Sequence, residues 1–263
     1  MIYIFLLLMA AAGYCLWKYP ALRKTWYWPK RQGLVVLMYH HIGSMLDPQQ
    51  EQYPFTVSPI MLEEHLHFMR RHHYTPISEH DLYRSLRTGQ PVRSRHPVLL
   101  TFDDGYEDLY THLFPLLKKY QTPALVFLIT DRIGTPGYLN WNQIREMYKS
   151  GRVAFGSHTC SHRRLRSLSD EEIIKEVTES KKIIEKTLRC RVRSFCYPFG
   201  AGGFDKRVRP QVLKAGYFMD FSTKKGINPW PWCGKKALLR AFPRGGENLW
   251  DFHLQLTRGR SKL

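Results

Sequence analysis

The segment "PVLLTFDDGY" (residues 97–106) joins an apolar run to two adjacent aspartates and a glycine. The apolar run predicts a buried strand over 97–104 that ends in Asp103 and Asp104. Two carboxylates at close range repel each other unless a proton or a cation lies between them. A divalent metal ion meets this requirement, because one carboxylate can ligate it while the other accepts a proton from bound water. The segment therefore predicts a strand with a metal site at its end.

A second segment, "RVAFGSHTCSH" (152–162), has the same form, with His158 and His162 after a short apolar run. If one helical turn carries both histidines, their i, i+4 spacing places the imidazoles on the same side. Two imidazoles and one carboxylate, with coordination positions left open, suit a hydrolytic zinc ion. Four other histidines are interpreted as surface groups of a helix: His65, His67, His72 and His73.

Predicted strands and helices alternate along the chain, which indicates βαβ units and a parallel sheet. About seven such units without a dinucleotide-binding glycine motif favour a barrel, where chemistry lies at the carboxyl ends of the strands. The strands are predicted at 33–41, 97–104, 123–130, 152–155, 194–200, 217–222 and 237–243. The main helices are predicted at 58–74, 78–87, 106–119, 141–149, 169–188 and 247–256. Polar residues follow the apolar runs at His40, Asp103, Asp104, His158 and Tyr197.

The composition indicates a folded, basic protein. Its 263 residues are 43% hydrophobic, and the formal net charge is +18. Such a charge favours an anionic partner, namely a membrane surface, a phosphorylated substrate or an acidic glycan, although a generally basic solvated surface is the alternative. Nucleic acid is the least favoured partner, because no base-reading motif is present. The five cysteines are odd in number and irregular in spacing, which favours reduced thiols over a disulfide framework.

The apolar run "IYIFLLLMAAAGYCLW" (2–17) predicts one transmembrane helix, with a cleaved signal peptide as the alternative. Basic and aromatic residues follow the run, and the positive-inside rule therefore places the rest of the chain on the cytoplasmic side of the inner membrane. The periplasmic or extracellular face is the alternative. The predicted organisation is an anchor at 1–19, a basic aromatic juxtamembrane linker at 20–32, one domain at 33–257 and a basic tail at 258–263.

The segments "TFDDGY" (101–106), "GSHTCSH" (156–162) and "FCYPFG" (195–200) resemble the first three motifs of the polysaccharide deacetylases, carbohydrate esterase family 4, also called the NodB-homology family. "LMYHHIG" and "LLRAFP" are most similar to the branch that includes poly-N-acetylglucosamine deacetylases. The resemblance covers roughly residues 33–257. It implies a distorted or incomplete (β/α) barrel and metal-dependent removal of N- or O-acetyl groups from sugars.

Carried over by motif position, the resemblance makes Asp103 the general base, and it implies that a backbone N–H near Phe199 stabilises the oxyanion. Tyr197 and Phe199, both in the third motif, are expected to bind substrate. The implied ligands of one divalent ion, zinc, are Asp104, His158 and His162.

The chain departs from the family pattern at two places. Cys196 takes the position of an arginine that orients the base in many members, and Arg240 is expected to replace it. The usual late leucine–x–histidine motif, which supplies the general acid, is not evident. His40 is therefore the expected second acid or substrate-binding group.

The leading functional hypothesis is a membrane-anchored sugar N-deacetylase. One expected substrate is an N-acetylated sugar on a polyprenyl phosphate at the cytoplasmic face, because the basic segment "SHRRLRSL" (161–168) overlaps the ligand motif. The other is an exported polymer such as poly-N-acetylglucosamine. The alternative of a different class is a non-catalytic, membrane-associated glycan-binding barrel.

Overall fold

The structure, a computed structural model, describes residues 33–44, 48–90, 92, 94–230 and 236–261. The predicted anchor at 2–17 and the linker at 20–32 lie outside the described residues. Within the described part of the chain, no helix is both long and apolar enough to cross a membrane.

The strands are β1 Val35–Tyr39, β2 His41–Ile42, β3 Thr56–Val57, β4 Thr75–Pro76, β5 Pro97–Phe102, β6 Ala124–Leu128, β7 Val153–Ser157, β8 Ser194–Cys196 and β9 Met219–Phe221. They form one curled parallel sheet in the order β1-β5-β6-β7-β8-β9, and β4 pairs with the start of β5. A separate short pair joins β2 to β3. This arrangement confirms the predicted α/β incomplete barrel.

The segment 237–243, predicted as a strand, lies between β9 and β1 and pairs with each through a single parallel bridge. Leu238 pairs with Phe221, and Ala241 pairs with Leu37. Arg240 N instead donates to Lys224 O at 2.9 Å, so no continuous ladder forms. The segment nevertheless fills the gap between the first and last strands of the barrel.

Capping side chains fix the starts of several helices. Ser58 accepts a hydrogen bond from Met61 N, and Ser169 and Glu172 form a capping box. The helices are α1 Pro59–Arg71, α2 Glu79–Thr88, α3 Phe114–Tyr120, α4 Trp141–Lys149, α5 Asp170–Leu188, α6 Val208–Lys214 and α7 Leu249–Arg258.

Two helical predictions differ from the structure. The predicted helix over 106–119 is instead a π-helical turn at Leu109–Leu113 followed by α3, which has a proline in its first turn. The predicted helix over 247–256 begins at Leu249 and continues to Arg258, one residue beyond the predicted domain boundary.

The prediction that His65 lies on the surface is wrong. Its side chain is buried, stacks on Phe252 at 3.8 Å between ring centroids, and places Nδ1 3.0 Å from Tyr39 Oη. Burial lowers the pKa of His65 to about 3, so the imidazole is neutral at pH 7. The residue belongs to the apolar stripe of α1, because it lies three positions after Leu62 and four before Met69.

The period of two along the strands divides the core into two layers. In β5, Val98, Leu100 and Phe102 belong to the layer between the sheet and the helices, whereas Leu99 belongs to the smaller interior cluster. Thr101 and Asp103 continue the interior register of Leu99. Asp103 therefore points into the barrel because of its register.

Replacement of Gly105 by alanine is predicted to destabilise the domain by about 2 kcal/mol, in a urea unfolding experiment. Gly105 has a φ of +78°, and an added Cβ would lie 2.8 Å from Leu128 Cδ2. Gly134→Ala is the matched control, because Gly134 has a φ of +83° but no atom within 4 Å of an added Cβ. Equal losses in the two variants would contradict a role for the contact with Leu128.

Candidate active site

Arg240 and Asp103 form a bidentate ion pair inside the barrel. Nη1 lies 2.7 Å from Oδ1 and Nη2 lies 2.7 Å from Oδ2, and the Arg240 side chain is 0% exposed. Nε also donates to Ser222 O at 2.8 Å. The residue that follows β9 and the segment 237–243, here called the closing segment, therefore jointly orient the guanidinium. Burial opposes ionisation of Asp103, but the Arg240 guanidinium outweighs it and holds the Asp103 pKa well below its usual range.

Asp104, His158 and His162 converge beside this ion pair. Asp104 Oδ1 lies 3.4 Å from Nε2 of each histidine. The φ of Asp104 is 71°, and this left-handed backbone turns its carboxylate away from the outward direction that strand alternation would give. The sequence places the two aspartates together, but the turn is what lets both reach one cavity.

This triad fits a divalent metal ion. The three ligand atoms lie within 4.8 Å of one another, and Asp104 Oδ1 is buried without a hydrogen-bond partner in the described part of the chain. His158 Nδ1 donates to Cys196 O at 2.7 Å, which leaves the Nε2 lone pair directed at the triad. Burial and the neighbouring His158 lower the pKa of His162 to about 4, so its imidazole is neutral at pH 7. The donor set of one carboxylate and two imidazoles suits zinc.

The predicted helical turn carrying both histidines is wrong, although the histidines do meet. His158 directly follows β7, and the chain then turns through left-handed residues, with φ 70° at Thr159 and 62° at His162. His162 N donates to Thr159 Oγ1 at 2.9 Å. A compact loop, rather than a helical turn, therefore brings the two histidines together.

Glu176, a buried residue of α5, holds this loop, which the sequence analysis missed. Its Oε2 accepts hydrogen bonds from Cys160 N at 2.8 Å and Ser161 N at 3.0 Å, and Ser161 Oγ donates to Oε1. The signal in the sequence was weak, since Glu176 is one acid among several on an amphipathic helix.

A second cluster of ligand-type groups, Asp103, His158 and Cys196, does not suit a metal ion. The Arg240 guanidinium already contacts Asp103 and Cys196, and its Nη2 lies 3.1 Å from Cys196 Sγ. Burial raises the pKa of the Cys196 thiol well above its usual value, which keeps it protonated. The guanidinium therefore occupies the position that a cation would take.

His40 lies at the end of β1 with Nε2 3.9 Å from Asp103 Oδ2. Its ring is held edge-on against Phe55 and Phe242, and its Nδ1 is buried without a hydrogen-bond partner among the described residues. Burial lowers the pKa of His40, although the nearby Asp103 and Asp104 oppose the shift. The imidazole is therefore placed between the base and the cavity.

His41 is a second histidine that lines the cavity. Its Nδ1 lies 2.6 Å from Asp108 Oδ2, and its ring stacks on Tyr106 at 3.6 Å. Burial, reinforced by the Asp104 carboxylate, raises the pKa of Tyr106. The segment that follows the two aspartates thus supplies one wall of the site.

The two residues predicted to contact substrate differ in position. Phe199 lines the same cavity of about 600 Å³ as the triad, with a φ of 56° and its side chain 51% exposed. Tyr197 does not line this cavity. It is fully buried and donates to Asp220 Oδ2 at 2.9 Å, because the period of two turns its ring away from the barrel interior.

The chain is similar to a protein family and to two relatives whose names all describe deacetylases of polysaccharides. Residues 91–219 match the polysaccharide deacetylase family model. The poly-β-1,6-N-acetyl-D-glucosamine N-deacetylase of Staphylococcus aureus is 30% identical over 191 residues, which are 66% of this chain and 64% of that one. YxkH of Bacillus subtilis, which is named as a polysaccharide deacetylase, is 30% identical over 196 residues, which are 73% of this chain and 65% of that one. The chain thus spans slightly less than two thirds of these relatives.

A solved structure has the same fold as this chain over most of the length of both proteins. The Streptococcus pyogenes deacetylase PplD in complex with acetate has a TM-score of 0.76 and 25% sequence identity. The similarity covers 87% of this chain and 99% of that one.

Substitution of Glu176 by alanine is predicted to weaken zinc binding by about 10–100-fold, because the loop that carries His162 loses its anchor. The measurement is competition with a chromophoric chelator. Glu179→Ala is the control, since Glu179 lies on the exposed face of α5 and pairs with Lys182 at 2.8 Å. Equal zinc affinity in the two variants would show that Glu176 does not position the ligand.

Proposed function

Because the chain belongs to the polysaccharide deacetylase family, we propose that it is a metal-dependent hydrolase that removes N-acetyl groups from an amino sugar of a glycan. The observation that carries the proposal is the meeting of two differently compensated aspartates in one cavity. Asp103 is paired with Arg240, and Asp104 is grouped with two histidines. Acetate, which is bound in the PplD complex, is the product that such a reaction releases.

The metal ion that we propose is zinc, held by Asp104, His158 and His162. When bound, it would polarise the acetyl carbonyl and lower the pKa of a water molecule. The protein's own contribution is to hold three ligand groups on the two loops that follow β5 and β7. The hydrogen bond from His158 Nδ1 to Cys196 O and the loop pinned by Glu176 both restrict these groups.

Asp103 is the proposed proton acceptor. The two hydrogen bonds from Arg240 keep its carboxylate ionised and fix its orientation. They also lower its basicity, which a bound metal ion would offset by making the water molecule more acidic. Arg240 thus takes the part of the motif arginine that Cys196 replaces.

His40 is the proposed route for the proton to the leaving amine. Asp103 Oδ2 lies 3.9 Å from His40 Nε2, and the imidazole is neutral at rest because burial lowers its pKa. With Nε2 unprotonated, the imidazole can accept the proton from Asp103 at Nε2, and the same nitrogen can then donate it to the leaving amine. Phe199, which also lines the cavity, is the proposed surface for the sugar ring.

Residues 2–17 are proposed to anchor the chain in the inner membrane, with the catalytic domain on the cytoplasmic side. The support is the order of an apolar run and a basic, aromatic flank. The substrate would then be an N-acetylated sugar carried on a polyprenyl phosphate. With the opposite orientation, an exported polymer would replace it, which is the substrate type that the name of the S. aureus relative gives for that protein.

The orientation predicts that protease added outside intact spheroplasts leaves the domain undigested, whereas lysed spheroplasts lose it. The measurement is an immunoblot against the C-terminus, with a periplasmic protein as the digestion control. Digestion in intact spheroplasts would overturn the cytoplasmic assignment and favour the exported polymer.

Asp103→Asn is predicted to retain zinc but to lower kcat for acetate release by about 10²–10⁴-fold, since general-base catalysis is worth that much. Asp104→Asn is the matched variant at the adjacent position, and it is predicted to lose zinc and activity together. The measurements are metal content by mass spectrometry and acetate release from N-acetylglucosamine oligomers. Loss of zinc to the same degree in both variants would refute the division of roles.

A further inference from the structure

The cavity of the proposed active site has a cationic wall that the deacetylation chemistry does not use. Arg164 and Lys225 line it on the side of Phe199 and Thr223, and both side chains are exposed. Of the carboxylates that line the cavity, Asp103 is neutralised by Arg240 and Asp104 belongs to the metal triad. Glu51, on the outer part of the cavity, is the remaining acid. The wall beside the reaction centre is therefore positive.

Arg164 is fixed by an aromatic contact. Its guanidinium carbon lies 4.1 Å from the centroid of the Phe199 ring, and that ring lies 4.7 Å from the ring of His162. Thr223 Oγ1 donates to Phe199 O at 3.4 Å, which ties the left-handed Phe199 backbone to the same wall. The Arg164 guanidinium thus contacts Phe199, and Phe199 in turn contacts His162 of the triad. Because Arg164 is exposed, its N–H groups are available for hydrogen bonds.

The neighbouring arginines of the basic segment "SHRRLRSL" face elsewhere. Arg163 pairs with Glu172 at 2.9 Å, and Arg166 pairs with Asp205 at 3.0 Å. For Arg164, no carboxylate of the described residues lies within ion-pair distance. A merely solvated basic surface does not explain why the middle arginine alone is stacked into the cavity wall.

Guanidinium groups recognise phosphate oxygens through paired hydrogen bonds, and a lysine adds a point charge. Cations on a concave wall also concentrate the electrostatic potential inside the cavity. A stacked arginine loses little conformational freedom when it binds, because the aromatic ring already restricts it. These properties suit a phosphate group next to the sugar that is deacetylated.

We propose that Arg164 and Lys225 form an anion subsite that binds a phosphate ester linked to the N-acetylated sugar. The subsite rests on the proposed function for its role, but its binding of phosphate can be measured separately. The shared chemistry is a sugar phosphate, which can be a soluble monoester or a lipid-linked phosphodiester.

The kinetic experiment compares N-acetylglucosamine 1-phosphate with methyl N-acetylglucosaminide, which differ in the charged group. The ratio of kcat/KM for the phosphate over the methyl compound is expected to exceed one in the wild-type protein and to fall by about tenfold in Arg164→Gln. Arg163→Gln is the matched control, and it is expected to keep the wild-type ratio. Equal ratios in the wild type and in Arg164→Gln would overturn the subsite.

The binding experiment does not depend on turnover. Calorimetric titration of the zinc-loaded full chain with N-acetylglucosamine 1-phosphate is expected to give an affinity that falls by about tenfold in Arg164→Gln and further in Arg164→Gln/Lys225→Gln. Unchanged affinity in both variants would refute the subsite even if acetate release occurs. Weaker binding in the variants without acetate release from any substrate would instead refute the proposed deacetylation and leave the subsite standing.

A third substrate separates the two sources of phosphate. Farnesyl phosphate-linked N-acetylglucosamine is compared with the 1-phosphate in detergent, again by kcat/KM in the wild type and in Arg164→Gln. A higher value for the lipid that depends on Arg164 identifies a lipid-linked substrate, and a higher value for the monoester identifies a soluble sugar phosphate. Values for both that are independent of Arg164 would overturn the subsite.

Discussion

The buried ion pair between Arg240 and Asp103 connects the closure of the barrel with the chemistry of the site. Arg240 belongs to the segment that joins β9 to β1 through single bridges, and Asp103 ends the central strand β5. Removal of one partner would leave an uncompensated buried charge, which typically costs about 3–5 kcal/mol. The pair therefore fixes a segment that has little sheet pairing of its own. It also sets the orientation of the proposed base, so the fold and the catalytic geometry depend on the same contact.

The pair also makes the stability depend on pH. Because the folded-state pKa of Asp103 lies well below its unfolded value, the ionised carboxylate contributes stability at every pH above the unfolded value of about 3.9. That contribution is lost as the pH falls through the folded pKa. A neutral-pH enzyme would lose none of it in its working range, and Arg240 remains charged throughout.

The sequence predicts the parts of the fold that follow from local patterns. Strand β5 and its two aspartates, the capping boxes and the alternation of strands and helices all follow from short-range rules. The meeting of Arg240 with Asp103 depends on a non-local pairing of the closing segment, and only the resemblance suggested it. Glu176 and the left-handed turn at Thr159 went unpredicted, because a helix acid and a threonine carry no sign of the loop that they hold. The wrong interpretation of His65 has the same origin, since burial of one helix face depends on α7 packing there.

The two adjacent aspartates coexist because Arg240 compensates the charge of Asp103, and the proposed metal ion would compensate the charge of Asp104. Strand register turns Asp103 into the barrel, where the guanidinium of Arg240 meets it, and the left-handed backbone turns Asp104 toward His158 and His162. Had both followed strand geometry, one carboxylate would face the helices, and no shared site would exist. The positive φ at Asp104 is thus the cost of bringing both groups to one cavity, and Gly105 makes that turn sterically accessible. Since the same left-handed conformation recurs at His162 and Phe199, local backbone strain concentrates at the positions that define this site.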